Sequence, residues 1–162
     1  MGDFPLGRGT MTDIVDSATR SRMMSGIRGK DTQPELVIRR YLHSKGYRFR
    51  LHRRDLPGRP DLVLSSYRLV VFVHGCFWHR HAGCFYATSP SSRKDFWQAK
   101  LNRNVERDEE QKCSLSDQGW RVLTIWECGI RHCLNGIQDI EGLITNGGNC
   151  LVWPEEPPRR RP

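Results

Sequence analysis

The 162-residue sequence contains no run near the roughly 20 uninterrupted apolar residues that a membrane span needs, and its first residues lack the basic-then-apolar order of a secretory signal. These absences lead to the expectation of a soluble, intracellular protein. No internal repeat is present. Acid is scarce: 18 Asp and Glu stand against 26 Lys and Arg, a net charge of +8. The excess is uneven, with eight basic residues and one acid from Leu36 to Pro60. Such a block suggests a surface that meets a polyanion. Nucleic acid is favoured over anionic lipid because no amphipathic anchor accompanies it. With 37% hydrophobic and 27% charged residues, the chain fits one domain with a modest core. The six cysteines sit in a chain large enough to fold without staples, so a disulfide framework is not required.

The order of elements reads as α/β. Residues 1–16 show no apolar period, and Ser17 to Arg28 reads as a short helix. Thr32-Gln33-Pro34-Glu35 matches a capping box for a second helix running to Lys45, with Gly46 closing it. Tyr47, Phe49 and Leu51 alternate with Arg48, Arg50 and His52, the period of a half-buried strand whose outer face is wholly basic. Asp61 to Leu64 and Leu69 to Val73 read as a hairpin of buried central strands. Ser91 or Ser92 is expected to cap a long helix with Trp97, Leu101 and Val105 in one stripe and Gly119 as its stop. Trp120 to Trp126 reads as the next strand. The tail from Pro154, ending in Arg159-Arg160-Arg161, reads as too polar to pack.

Three of the six histidines and two of the six cysteines fall within the run HGCFWHRHAGC, residues 74–84. Cys76, His81 and Cys84 form a C-x4-H-x2-C array able to reach one tetrahedral cation from a single loop. Cys128, just past the strand ending at Trp126, is the best candidate for a fourth ligand, and zinc suits the sulfur and nitrogen donors. The competing reading is ordinary buried thiols and a surface histidine; Cys113, Cys133 and Cys150 are expected to be inert. Asp61 opens one hairpin strand and His74 ends the other, so both stand at one end of it. PD-(D/E)xK nucleases hold Mg²⁺ with an Asp and an acid-x-Lys pair there, but this chain has Phe72 and His74 in the latter positions. Asp61 suits Mg²⁺ and a neutral His74 suits a base. Equally, Asp61 can accept loop amides and His74 can be an interior histidine. Asp108 lies at the edge of the Leu101 and Val105 stripe, where an unpaired carboxylate is costly. Phe77 and Trp78 interrupt the metal loop and suit insertion between DNA base steps; Phe96 reads as core, and Trp97 fits either role.

From about Asp16 to Arg131, the blocks ATRSRMMSGI, LPGRPDLV, HGCFWHRHAGC, FW followed by KLNRNVERD, and GWRVLTIWEC resemble those of the very short patch repair (Vsr) DNA mismatch endonucleases in order and spacing. The resemblance implies a PD-(D/E)xK-related α/β domain over residues 17–153, with a central mixed sheet flanked by helices and a structural Zn²⁺. A flexible leader (1–16) and a disordered basic tail (154–162) are expected around it. It also implies Mg²⁺-dependent nicking of one strand at T:G mismatches, which arise when 5-methylcytosine deaminates. Double-stranded DNA is then the partner of a bacterial, cytoplasmic monomer, with mismatch-repair proteins and a DNA polymerase acting downstream. Carried onto this sequence, the resemblance makes Asp61 the Mg²⁺ ligand with the Val73 backbone carbonyl, and His79 the base. His74 supports the site, Asp108 faces His79 or the hydrated metals, and Glu35 is a further acidic contributor. Cys76, His81, Cys84 and Cys128 match the zinc ligands, and Phe77, Trp78 and Trp97 the intercalating aromatics. One departure is HRHAGC, where Arg80 separates two histidines and one extra residue precedes Cys84. Two rivals stand beside this reading. One is a sequence-specific nicking or restriction-type endonuclease of the same fold with no mismatch requirement; the other is a zinc-stabilised DNA-binding module without catalysis.

Overall fold

The Thr32 hydroxyl accepts the Glu35 N–H, and the Glu35 carboxylate returns to the Thr32 N–H at 3.3 Å, so the expected capping box forms. With Pro34 in its first turn, helix α1 (Gln33–Ser44) buries Glu35, Ile38 and Leu42 along one face. Gly46, at φ 84°, then reverses the chain as the Tyr47 N–H closes onto the Leu42 carbonyl. The computed structural model describes residues 29–159. The leader 1–16, the helix expected over Ser17 to Arg28, and Arg160 and Arg161 lie outside the described residues.

Strands β1 (Arg50–Leu51), β2 (Leu62–Leu64), β3 (Leu69–His74), β4 (Arg121–Trp126) and β5 (Cys150–Trp153) form one mixed sheet in the order β1-β2-β3-β4-β5. The β1-β2 and β2-β3 pairs are antiparallel, and the β3-β4 and β4-β5 pairs are parallel. The turn Ser65–Tyr67 makes the expected hairpin of β2 and β3. The strand expected from Tyr47 is shorter than its alternation suggests. Leu51 is 44% exposed, and His52, at φ 45°, turns its ring inward instead of continuing the basic face.

Side chains alternate between two cores, as the pleat requires. Leu62, Leu64, Leu69, Val71, Leu123 and Ile125 pack with α1, α3 (Glu127–His132) and α4 (Asp139–Asn146). Val63, Val70, Phe72 and Val122 pack with Leu115 of α2 (Lys94–Asp117) and with Leu56. The result is an α/β domain with helices on both faces of a five-stranded mixed sheet. Arg93 precedes α2, in place of Ser91 or Ser92. It sits at φ 51° without a capping hydrogen bond, and its guanidinium lies 4.4 Å from the Phe96 ring centre. Arg121 caps the other end of the sheet, donating to the carbonyls of Leu143, Ile144 and Gly147 at the C-terminal end of α4. Pro154 is buried, contrary to the polar reading of its segment, because it and Trp153 lie over Gly129, where a side chain would collide. Among the described residues no helix is long and apolar enough to cross a membrane.

Candidate active site and metal centre

The parallel register of β3 and β4 pairs His74 with Trp126, so the residues two places beyond each strand, Cys76 and Cys128, emerge side by side. Cys128 therefore enters from the first turn of α3 and not from the strand itself. Between Cys76 and Cys84 the loop folds back on itself: His79 N–H donates to Gly75, His81 N–H to Cys76 and Cys84 N–H to His81. Arg80, at φ 51°, reaches out of it to the carbonyls of Ala87 and Thr88, both at 3.2 Å, so the departure from the family pattern is anchored to the following segment.

These turns bring Cys76, His81, Cys84 and Cys128 together, all buried, with one ligand atom from each within 4.8 Å of the others. His81 Nδ1 lies 3.3 Å from Cys128 Sγ and 3.7 Å from Cys76 Sγ, and its ring stacks on Trp126. A tetrahedron with 2.3 Å metal–sulfur arms has edges of about 3.8 Å, so the donor set fits Zn²⁺ in size and in chemistry. Hydrogen bonding with Cys128 lowers the Cys76 thiol to about 5, while the same pairing and burial push Cys128 up. Burial also raises Cys84.

His79, emerging from this loop, places Nδ1 2.5 Å from Asp108 Oδ2 on α2. The carboxylate at the edge of the apolar stripe is thereby paired. The His79 ring stacks on His74 at 3.7 Å with an 11° interplanar angle. His74 is buried, with the Trp126 ring edge-on at 5.5 Å. Burial holds its imidazole well below the usual histidine range, helped by His79 and Lys112.

Asp61, just before β2, accepts the Val73 N–H through Oδ2 at 2.7 Å. Burial raises its carboxyl, opposed by that hydrogen bond and by the electrostatic influence of His52, Arg39 and His79. His79 contributes to the field at Asp61, which stands at the end of the sheet where β3 leaves the hairpin. Glu35 is only 2% exposed and bonds to Arg39, with His52 Nε2 3.2 Å from its Oε1. His52 also faces Asp61 from its other nitrogen, so it joins Glu35 to the rest of the group. Sequence reasoning missed His52 and Arg39. The positive φ that turns His52 inward leaves no mark in an alternating pattern, although Arg39 stands four residues after Glu35, one helical turn away.

Phe77, Trp78 and Trp97 pack on one another with ring centres 5.1 to 6.1 Å apart, each half-buried. Asn104 donates to the Trp78 carbonyl and ties loop to helix. Lys100 Nζ lies 5.6 Å from both tryptophan ring centres. Phe96, expected in the core, is 46% exposed beside this group: it lies on the outer side of α2, adjacent to the Trp97 stripe.

A family profile described as DNA mismatch endonuclease Vsr matches residues 12–85. The type II nicking enzyme V.XorIIP of Xanthomonas oryzae pv. oryzae is 51% identical over 118 residues, covering 73% of this chain and 86% of the relative. The DNA mismatch endonuclease Vsr of Escherichia coli is 46% identical over 121 residues, covering 75% and 77%. The type II nicking enzyme V.NmeAIP of Neisseria meningitidis is 41% identical over 122 residues, covering 75% and 86%.

Proposed function

Because the chain belongs to the Vsr DNA mismatch endonuclease family and is a DNA-cleaving hydrolase, we propose that it nicks one strand of duplex DNA at T:G mismatches with Mg²⁺, initiating very short patch repair. The observation that carries the reading is the 2.5 Å contact between His79 and Asp108 within electrostatic reach of Asp61. Asp108 accepts a hydrogen bond from His79 Nδ1–H, which leaves the Nε2 lone pair to take a proton from the attacking water. His74, stacked on the same ring, keeps it from swinging away. Asp61 and the Val73 carbonyl hold the metal, with Glu35 adding a nearby carboxylate. Mg²⁺ bound there supplies charge neutralisation at the scissile phosphate. Hydrolysis leaves 3′-hydroxyl and 5′-phosphate ends.

Cys76, His81, Cys84 and Cys128 hold a structural Zn²⁺ that fixes the loop carrying His79. Phe77, Trp78 and Trp97 open the stack at the mismatch, where unstacking costs least. The catalytic domain spans residues 17–153 between a leader and a basic tail. The protein acts as a monomer in the bacterial cytoplasm, and mismatch-repair proteins and a DNA polymerase process the nick.

A second reading is favoured by the names of two relatives, type II nicking enzymes, and requires a target sequence but no mismatch. Duplexes of one sequence carrying either T:G or T:A, incubated with Mg²⁺, separate the two. Nicking confined to T:G is the expected result; equal nicking of both duplexes establishes the second reading. Absence of any Mg²⁺-dependent product from zinc-replete protein would reject both.

A further inference from the structure

His52 lies between two carboxylates that belong to different elements. Its Nε2 is 2.7 Å from Arg39 Nη2 and 3.2 Å from Glu35 Oε1, and its Nδ1 is 3.9 Å from Asp61 Oδ1. A guanidinium donates and never accepts. At the Arg39 contact Nε2 must therefore accept, so Glu35 Oε1 is joined to that nitrogen through Arg39 Nη2 and not by a direct hydrogen bond, and the ring proton of a neutral imidazole sits on Nδ1, the atom that faces Asp61. Arg39 Nη2 has two hydrogens, and its second neighbour is the Glu35 carboxylate. One guanidinium nitrogen thus fixes both the tautomer of His52 and the position of Glu35.

At Asp61 the two oxygens are then treated differently. Oδ2 accepts the Val73 N–H at 2.7 Å, a full hydrogen bond. Oδ1 faces the N–H of His52 at a distance that is electrostatic and not a hydrogen bond. The carboxylate is therefore oriented from both sides without its lone pairs being used up, which is what a metal-binding carboxylate needs from its surroundings.

We infer that His52 is a positioning residue for divalent-metal binding at Asp61, held in the Nδ1–H tautomer by Arg39 and coupling the Glu35 helix to the metal site. The inference rests on the assignment of Asp61 as the Mg²⁺ ligand. His52 does not touch the scissile phosphate in this role; it acts through the orientation of Asp61.

The test compares His52→Leu, His52→Gln and Asp61→Asn in the full chain. Leu keeps bulk and removes both polar atoms. Gln restores an acceptor toward Arg39 and a donor toward Asp61. Mn²⁺ binding is measured without DNA, from the electron paramagnetic resonance signal of the free ion, and the Mg²⁺ concentration for half-maximal nicking is measured separately. Loss of the outer partner of a ligand commonly costs ten- to a hundredfold in metal affinity. His52→Leu is expected to raise both values about tenfold while leaving the rate at saturating Mg²⁺ nearly unchanged, and His52→Gln to recover most of the loss. Unchanged metal binding in His52→Leu, or Gln behaving no better than Leu, overturns the inference. Asp61→Asn separates the two levels. If it abolishes Mn²⁺ binding while His52→Leu does not weaken it, only the role of His52 fails. If Asp61→Asn leaves Mn²⁺ binding intact, the metal assignment itself fails.

Discussion

In the proposed mechanism the contact between His79 and Asp108 makes the chemistry depend on which ring nitrogen carries the proton. General base catalysis contributes roughly 10² to 10⁴ in rate. His79→Ala is therefore expected to lower nicking by at least about 10²-fold while the mismatch-duplex Kd from mobility shifts stays unchanged; lost binding with normal turnover contradicts the assignment. Tyr41 provides a second test, away from the reaction. Burial, together with its hydrogen bond to Glu141, pushes the Tyr41 phenol from 10.0 up to about 12. A group raised in the folded state stabilises it fully below its unfolded value, and here that contribution disappears as pH rises from 10 through 12. Ultraviolet titration should show one tyrosine ionising at about 12, and Tyr41→Phe should remove it together with that part of the alkaline loss of stability. Asp108 was legible because a carboxylate beside an apolar stripe demands a partner. Phe96 was misread because composition does not say which side of α2 meets the sheet, and only the packing of Leu101 and Leu115 decides that.

Elements were legible where their determinants are local. The capping box of α1 and the hairpin of β2 and β3 follow from a few consecutive residues, and both form. The short β1 does not follow, because a single positive φ at His52 ends the alternation. The register between β3 and β4 is the decisive long-range feature: His74 to Trp126 and Cys76 to Cys128 are both 52 residues apart, so one ladder brings the candidate metal ligands together. Gly129, the residue after Cys128, shows how tightly this corner is built. A Cβ there would come within 2.4 Å of Pro154 and 2.7 Å of Trp153, neither of which can swing away easily. Gly129→Ala is expected to destabilise the domain by about 2 kcal/mol through overpacking, measured as a lower urea midpoint at unchanged slope. A midpoint equal to that of the unaltered protein would mean that β5 yields freely.

For the whole molecule, a small third cluster of Cys76, Cys84, Trp126 and Cys128 stands apart from the two cores on the sheet faces. It has few apolar side chains to hold it, so in the proposed reading a metal supplies much of its cohesion. Removal of zinc is expected to lower Tm by on the order of 10 °C, about 2–3 kcal/mol for a domain of this size. Nicking should then return with Zn²⁺ and Mg²⁺ together and not with Mg²⁺ alone. Recovery by Mg²⁺ alone, or an unchanged Tm, removes the structural metal from the account. Within the basic stretch from Leu36 to Pro60, Arg48 and Arg50 are both exposed, whereas His52 has left that face for the interior.

The sequence by itself determined the family, the α/β order and which residue types are available for metal and proton chemistry, since these depend on composition, short spacing and local capping. The tertiary structure decided which distant side chains meet. It brought Cys128 beside Cys76 and Asp108 onto His79, and it turned His52 between Glu35 and Asp61. Those meetings depend on the register between parallel strands, the rotation of a helix about its axis and one backbone angle, each fixed by packing across the whole domain.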